Sequence, residues 1–147
     1  MKDKDRTTAF GMLRQSKGLL RAYSTLEAED DNITNQFSTK YFLLGRSLEL
    51  VLKAMLLYLK YELPYLKKLG HDLNLLAAVT YYRYRPFPIG LKEIAVISML
   101  NEHYLSKDFE YPKIGTKRVP QIKDVVALLE TLHQVADQNI TIPIRNK

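Results

Sequence analysis

The chain has 147 residues, of which 46% are hydrophobic and 26% charged, with no cysteine and a formal net charge of +6. Length and composition are those of one globular domain, so we expect a single folded domain spanning residues 1–147. Without cysteine, a disulfide framework, a thiolate zinc site and a cysteine nucleophile are all excluded. The positive charge favours anionic partners such as nucleic acid, nucleotides or acidic proteins.

The N-terminal sequence MKDKDRTTAF is charged and lacks the apolar run of a signal peptide. Arg46, Glu49 and Lys53 interrupt the most apolar stretch of the chain, whereas a membrane-spanning helix needs about 20 residues with few such charges. We therefore expect a cytoplasmic protein that does not contact a membrane.

A first helix is predicted to begin after Thr7 or Thr8, either of which can cap it, and to end near Glu27. The acidic segment 27–35 then forms an exposed connection. Residues 39–62 follow as a long helix that is apolar around most of its circumference, which predicts an element enclosed by others. Spacings of three, four and seven leave one polar stripe on it, made of Arg46, Glu49, Lys53 and Lys60.

Pro64 is predicted to end this pattern, and Gly70 to terminate a short turn over 65–69. Asp72 can cap a third helix, and the loop RYRPFPIG (83–90) separates it from a fourth helix over 91–104. The third helix carries Leu73, Leu76, Ala77, Thr80, Tyr81 and Tyr84 at spacings of three and four. The fourth helix presents Leu91, Ile94, Ala95, Ser98 and Met99 on one side.

Residues 107–120 have no helical period and are predicted to form a long ordered loop or a small hairpin, which is a candidate surface. A last helix follows over 121–137. Together these elements predict an all-α fold, an antiparallel bundle of about five helices with the long helix near its middle.

Three segments in this order, LLGRSLELVLKAMLLYL, GHDLNLL and SMLNEHYLSKDFEYP, resemble the HEPN domains of bacteria and archaea. The resemblance extends from about Arg14 to the end of the last helix. The positions that match the family pattern are Glu49, Lys53 and Ala54, then His71, Asp72 and Leu73, then Tyr111 and Pro112.

The resemblance implies a helical bundle that is commonly a homodimer, encoded beside a nucleotidyltransferase or within toxin–antitoxin or defence systems. A nucleotidyltransferase or an antitoxin is therefore a candidate partner. Family members that cleave RNA use an arginine followed four to six residues later by a histidine. No arginine of this chain has a histidine at that distance, and Glu110 replaces the arginine that often precedes the tyrosine–proline motif.

Several side chains have both a structural and a functional interpretation. His71 and Asp72 could form an acid–base pair, or Asp72 could cap a helix. The polar stripe could be a solvated edge, or a dimer seam or anion groove in which Arg46 and Lys53 supply the charge. His103 and His133 lack the spacing of a zinc site, so we expect neither metal nor cofactor.

Two further segments could contact nucleic acid. In YYRYRPF (81–87), aromatic rings alternate with Arg83 and Arg85, a combination that can stack on bases and contact phosphates. The structural alternative places Tyr81 and Tyr84 in the core. Lys117 and Arg118, in the basic loop 113–118, could add phosphate contacts.

The sequence contains no glycine-rich phosphate loop, no serine elbow and no paired-carboxylate motif. It therefore favours a non-catalytic binding module for a nucleotide, RNA or a partner protein. Two alternatives stay open: a ribonuclease with a non-standard active site, and a purely structural protein-interaction module.

Overall fold

The computed structural model describes residues 7–29, 36–111 and 118–146, and over these ranges the chain is all-helical. The elements are α1 (Ala9–Ala28), α2 (Phe37–Tyr58), α3 (Leu63–Leu69), α4 (Leu73–Arg83), α5 (Leu91–Leu105), α6 (Ile122–Ala136), a π-helical turn (Asp137–Thr141) and α7 (Ile142–Arg145). The predicted all-α bundle is confirmed. Residues 113–117 of the predicted basic loop, and residues 30–35 of the acidic connection, lie outside the described residues.

Helix α2 runs through the middle of the bundle, as its apolar circumference predicts. Every residue from Ser47 to Leu56 is buried, and α1, α4, α5 and α6 all contact this helix. Thr8 caps α1 by accepting a hydrogen bond from the backbone N–H of Gly11 at 2.9 Å, so α1 begins where the sequence predicts.

The predicted end of the long helix at residue 62 is wrong, because α2 ends at Tyr58. The N–H of Tyr61 bonds to the carbonyl of Leu56 at 3.1 Å, and the N–H of Lys60 bonds to Leu57 at 3.0 Å. This is the Schellman pattern, with Lys60 in the left-handed conformation at φ 73°. Lys60 therefore leaves the helix, and the polar stripe shortens to three residues.

Helix α4 begins as predicted, since the Asp72 side chain accepts a hydrogen bond from the N–H of Leu75 at 3.2 Å. The side of α5 on which the sequence spacing places Leu91, Ile94, Ala95, Ser98 and Met99 lies mostly at the surface. Leu91 is 87% exposed and Ile94 45% exposed, and Ala95 and Ser98 are also exposed. The buried residues are instead Val96, Ile97, Leu100, Asn101, His103 and Tyr104.

Helix α5 has apolar residues on both of its sides. The spacing of three and four between apolar residues therefore does not identify which side is buried. The face that turns inward carries the larger side chains, including Leu100 and Tyr104, which fill the space beside α2. An apolar stripe consequently remains at the surface next to α4.

The last helix agrees with its predicted bounds within a residue. Beyond it, Ile140 and Thr141 are buried, which fixes the π-helical turn against the bundle. Among the helices of the described ranges, none has the length and hydropathy needed to cross a bilayer.

Candidate functional site

Glu49 is the centre of a buried polar cluster. Its side chain is 1% exposed and accepts four hydrogen bonds. Oε1 accepts from the Tyr104 hydroxyl at 2.7 Å and from Nδ1 of His71 at 2.8 Å, while Oε2 accepts from Arg46 at 2.7 Å and from Nζ of Lys53 at 3.0 Å. These five residues are the Glu49 cluster.

The cluster forms because α2 places Arg46 and Lys53 three residues before and four residues after Glu49, on the same helical edge. Tyr104 can reach the carboxylate because position 45 is glycine. A Cβ atom at Gly45 would lie 2.5 Å from Cδ1 of the Tyr104 ring, which is far inside contact distance. The ring therefore lies directly against the backbone of α2.

The protonation states follow from this geometry. Burial favours the protonated form of Glu49, but hydrogen bonds from Tyr104, His71 and Lys53 outweigh that effect and lower the pKa of Glu49. Burial and the negative charge of Glu49 both raise the pKa of Tyr104 above its ordinary value. Glu49 is thus a carboxylate near neutral pH, and Tyr104 is a neutral donor to it.

His71 and Asp72 are adjacent but have different partners. Oδ1 of Asp72 accepts from the N–H of Leu75 and from Nδ2 of Asn101, the latter at 3.0 Å. Oδ1 of Asn101 in turn accepts from the N–H of Leu73 at 2.8 Å. This arrangement favours the capping interpretation of Asp72, while His71 belongs to the Glu49 cluster.

The polar stripe of α2 faces neither open water nor an open cleft. The side chain of Lys53 is 11% exposed and that of Arg46 35%, and both point to the same carboxylate. His71, at 58% exposure, is the part of the cluster most accessible to solvent. The cluster is therefore a structural anchor between α2, the start of α4 and the end of α5.

A second group of predicted site residues lies at the C-terminal end of α4. Nε of Arg83 donates to the hydroxyl of Tyr61 at 2.5 Å, and its Cζ atom lies 5.7 Å from the Tyr61 ring centroid and 5.9 Å from that of Tyr82. Cζ of Arg85 lies 6.0 Å from the Tyr81 centroid. These five residues are the aromatic–arginine surface.

The tyrosines of this segment do not share one environment. Tyr84 is partly buried and its ring meets that of Phe87 edge-on at 6.4 Å, which agrees with a core position. Tyr81, which the structural alternative places in the core, is 49% exposed, and Tyr82 is 70% exposed. Tyr81 is exposed because no helix of the described residues covers the outer face of α5 beside it.

Three cavities open around these rings. The first, of about 390 Å³, lies between α4 and α5; its lining residues are Asn74, Ala77, Ala78, Tyr81, Tyr82, Ile89, Ile94, Ile97 and Ser98. The second, of about 410 Å³, shares Tyr81 with the first and is also lined by Arg85, Pro86 and Phe87. The third, of about 280 Å³, is lined by Leu59, Lys60, Tyr61 and Arg83.

The remaining candidate residues lie apart from both groups. Arg118 is exposed, and its backbone carbonyl accepts a hydrogen bond from Nε2 of His103 at 2.9 Å. Nδ1 of His103 is 2.9 Å from Oδ2 of Asp108, so His103 joins the two ends of the segment between α5 and α6. Lys117 lies outside the described residues.

His133 and Ser16 are 2.8 Å apart and have the residue types of a nucleophile and its base. Ser16, however, is fully buried, and its hydroxyl donates to the carbonyl of Ser47 at 2.6 Å. Nε2 of His133 must then be the donor to Ser16, which is the wrong tautomer for a general base. Burial and the charge of Lys17 lower the pKa of His133 to about 4, so the ring is neutral and structural.

Comparison of the chain with protein-family profiles, with curated proteins and with solved structures found no match. The HEPN resemblance accordingly rests on the sequence motifs and stays a prediction.

Proposed function

We propose that this protein is a non-catalytic RNA-binding module that holds single-stranded RNA on the aromatic–arginine surface. The observation that carries the proposal is the pairing of exposed rings with arginines. Tyr82 is 70% exposed and Tyr81 49%, and the guanidinium groups of Arg83 and Arg85 lie within 6.0 Å of these rings. Exposed aromatic rings stack on bases, and adjacent arginines contact phosphates.

Charge pairing favours this surface over the Glu49 cluster as the place where an anion binds. Arg46 and Lys53 direct their donors to a buried carboxylate. Arg83 and Arg85, by contrast, form no ion pair with a carboxylate of the described residues. Their charge is therefore available to phosphate, and the net charge of +6 adds a favourable long-range field.

The proposal assigns no cleavage chemistry. The chain lacks the arginine–histidine spacing of HEPN ribonucleases, and Nδ1 of His71 donates to the buried carboxylate of Glu49. Incubation with labelled RNA should leave the RNA intact. Metal-independent cleavage that is lost in His71→Ala would support the ribonuclease alternative instead.

The test is fluorescence anisotropy with a labelled RNA of about 12 nucleotides at about 50 and 200 mM salt, where phosphate contacts must weaken binding steeply as salt rises. Tyr82→Ala and Arg85→Gln should each weaken binding by about tenfold, since stacking contributes roughly 1–3 kcal/mol per base. The control is Arg21→Gln, which removes an equal charge from the exposed side of α1 and should bind like the wild type.

Salt-independent binding, or equal affinities for all four proteins, would refute the proposed surface. Sedimentation of the same samples tests the homodimer that the HEPN resemblance implies.

A further inference from the structure

The cavity between α4 and α5 has the size and lining of a ligand site. Its volume of about 390 Å³ lies within the range of roughly 300–1,000 Å³ for small-molecule pockets. It exists because Ala77 and Ala78 are small and because, within the part of the chain that the structure describes, no helix packs on the apolar outer face of α5. Ile94 and Ile97 contribute aliphatic wall, and Tyr81 and Tyr82 contribute aromatic wall.

The lining selects a neutral planar ligand. No charged side chain of the described residues lines this cavity, so a phosphate placed inside it would lose its hydration without gaining a counter-charge. A flat heteroaromatic ring, in contrast, can lie against the tyrosines and the aliphatic wall with little loss of hydration free energy.

One end of the cavity carries a fixed amide. The hydroxyl of Ser98 donates to Oδ1 of Asn74 at 3.1 Å, which sets the direction of the carboxamide. This bond uses one lone pair of Oδ1, and Nδ2 has no partner among the described residues. The group can therefore donate and accept at the same time, which is the pattern that recognises the N6 and N7 edge of adenine.

The opposite end carries the positive charge. Tyr81 lines both this cavity and the neighbouring one that contains Arg85. Asn74 and Tyr81 are two helical turns apart, about 10 Å along α4, which is the length scale of one nucleoside. A base held at Asn74 thus places its 5′ or 3′ phosphate near the guanidinium of Arg85.

We infer that this cavity takes one nucleobase of the bound RNA strand and prefers adenine, with Asn74 contacting the base edge and Arg85 the adjoining phosphate. This inference rests on the proposed function and names the base recognised by the same surface.

The experiment compares labelled oligo(A) and oligo(U) of equal length by fluorescence anisotropy. The wild type should bind oligo(A) about tenfold more tightly, since a good bidentate contact discriminates between bases by roughly that factor. Ala78→Leu fills the cavity from an exposed helix position, and Asn74→Ala removes the amide. Both should remove the preference for oligo(A) while leaving the affinity for oligo(U) within about twofold.

The matched control is Ala95→Leu, the same substitution at an exposed position of α5 outside the cavity lining, and it should keep the preference. Circular dichroism of every variant verifies that the helices are intact. As a second probe, adenosine 5′-monophosphate should compete with oligo(A) better than ribose 5-phosphate, and Ala78→Leu should abolish that difference.

The outcomes separate the inference from the function it rests on. If RNA binds with a steep salt dependence but without base preference, or if Ala78→Leu keeps the preference, the base pocket is wrong and the RNA-binding surface survives. If no oligonucleotide binds, both fail. If Ala78→Leu changes the sedimentation coefficient of RNA-free protein, the cavity is an interface between copies of this chain, and the base pocket is also refuted.

Discussion

The Glu49→Gln substitution keeps the shape of the side chain and removes the charge at the centre of the Glu49 cluster. The new carboxamide could still accept from the Tyr104 hydroxyl, but Lys53 and Arg46 would lose their carboxylate. The Lys53 side chain is only 11% exposed, so water cannot replace the lost partner well. Arg46 is 35% exposed, so solvent partly screens its charge once the carboxylate is removed.

Breaking a buried ion pair by removing one partner costs roughly 3–5 kcal/mol. Because Arg46 is partly solvated and the hydrogen bond from Tyr104 survives, we expect the lower end of this range. The free energy of unfolding should fall by about 3 kcal/mol. Domains of this kind have a total unfolding free energy of roughly 5–15 kcal/mol, so the change is a large fraction of it. With a urea m-value of roughly 1–3 kcal/mol/M, the unfolding midpoint falls by at least about 1 M.

The assay is urea unfolding followed by circular dichroism, at neutral pH and again in acid. The folded-state pKa of Glu49 lies below its unfolded value, so its stabilisation is present above about pH 4.5 and is lost as the pH falls through the folded pKa. The difference between wild type and variant should accordingly shrink in acid. The control is Glu130→Gln on the exposed side of α6, which should change stability by less than about 0.5 kcal/mol. A loss below about 1 kcal/mol in Glu49→Gln would refute this account of the cluster.

Three further substitutions test other contacts. In Gly45→Ala the new methyl group would lie 2.5 Å from Cδ1 of Tyr104. The ring must then move, which should lower the free energy of unfolding by about 1–3 kcal/mol. An unchanged urea midpoint would contradict the close contact. Lys60→Gly should raise the free energy of unfolding by about 1 kcal/mol, because the backbone at φ 73° penalises a side chain, and a lower Tm would contradict this. The pKa of His133 is about 4 in the folded state and about 6.5 unfolded, so wild-type stability should be complete above pH 6.5 and fall by up to about 3 kcal/mol towards pH 4. His133→Gln should remove most of that slope, which urea midpoints across this pH range measure.

Local signals in the sequence predicted the helices well. Thr8 and Asp72 each bond to an N–H three residues further on, so their roles can be predicted from a few neighbouring residues. The enclosed position of α2 likewise followed from its own apolar circumference. The end of α2 was missed because Lys60 adopts a left-handed conformation that usually requires glycine or asparagine.

Contacts between distant segments were much harder to predict. Tyr104 is 55 residues from Glu49, and no spacing rule connects them. Two signals could have indicated such a partner: a carboxylate in the middle of an apolar helix, which needs donors, and Gly45 on the same helix, which permits close approach. The spacing of apolar residues could not identify the buried side of α5, because Leu91 and Ile94 fit a helical period as well as Ile97 and Leu100 do.

The start of α4 should behave unusually in hydrogen exchange. First-turn amides of a helix have no partner within the helix, and they normally exchange with solvent quickly. Here the N–H of Leu73 bonds to the buried side chain of Asn101 at 2.8 Å, and the N–H of Leu75 bonds to Asp72. Asn101 also bonds to Asp72, so opening this turn requires α5 to release it. The Leu73 amide should therefore exchange as slowly as core amides, and its protection would report the docking of α4 on α5.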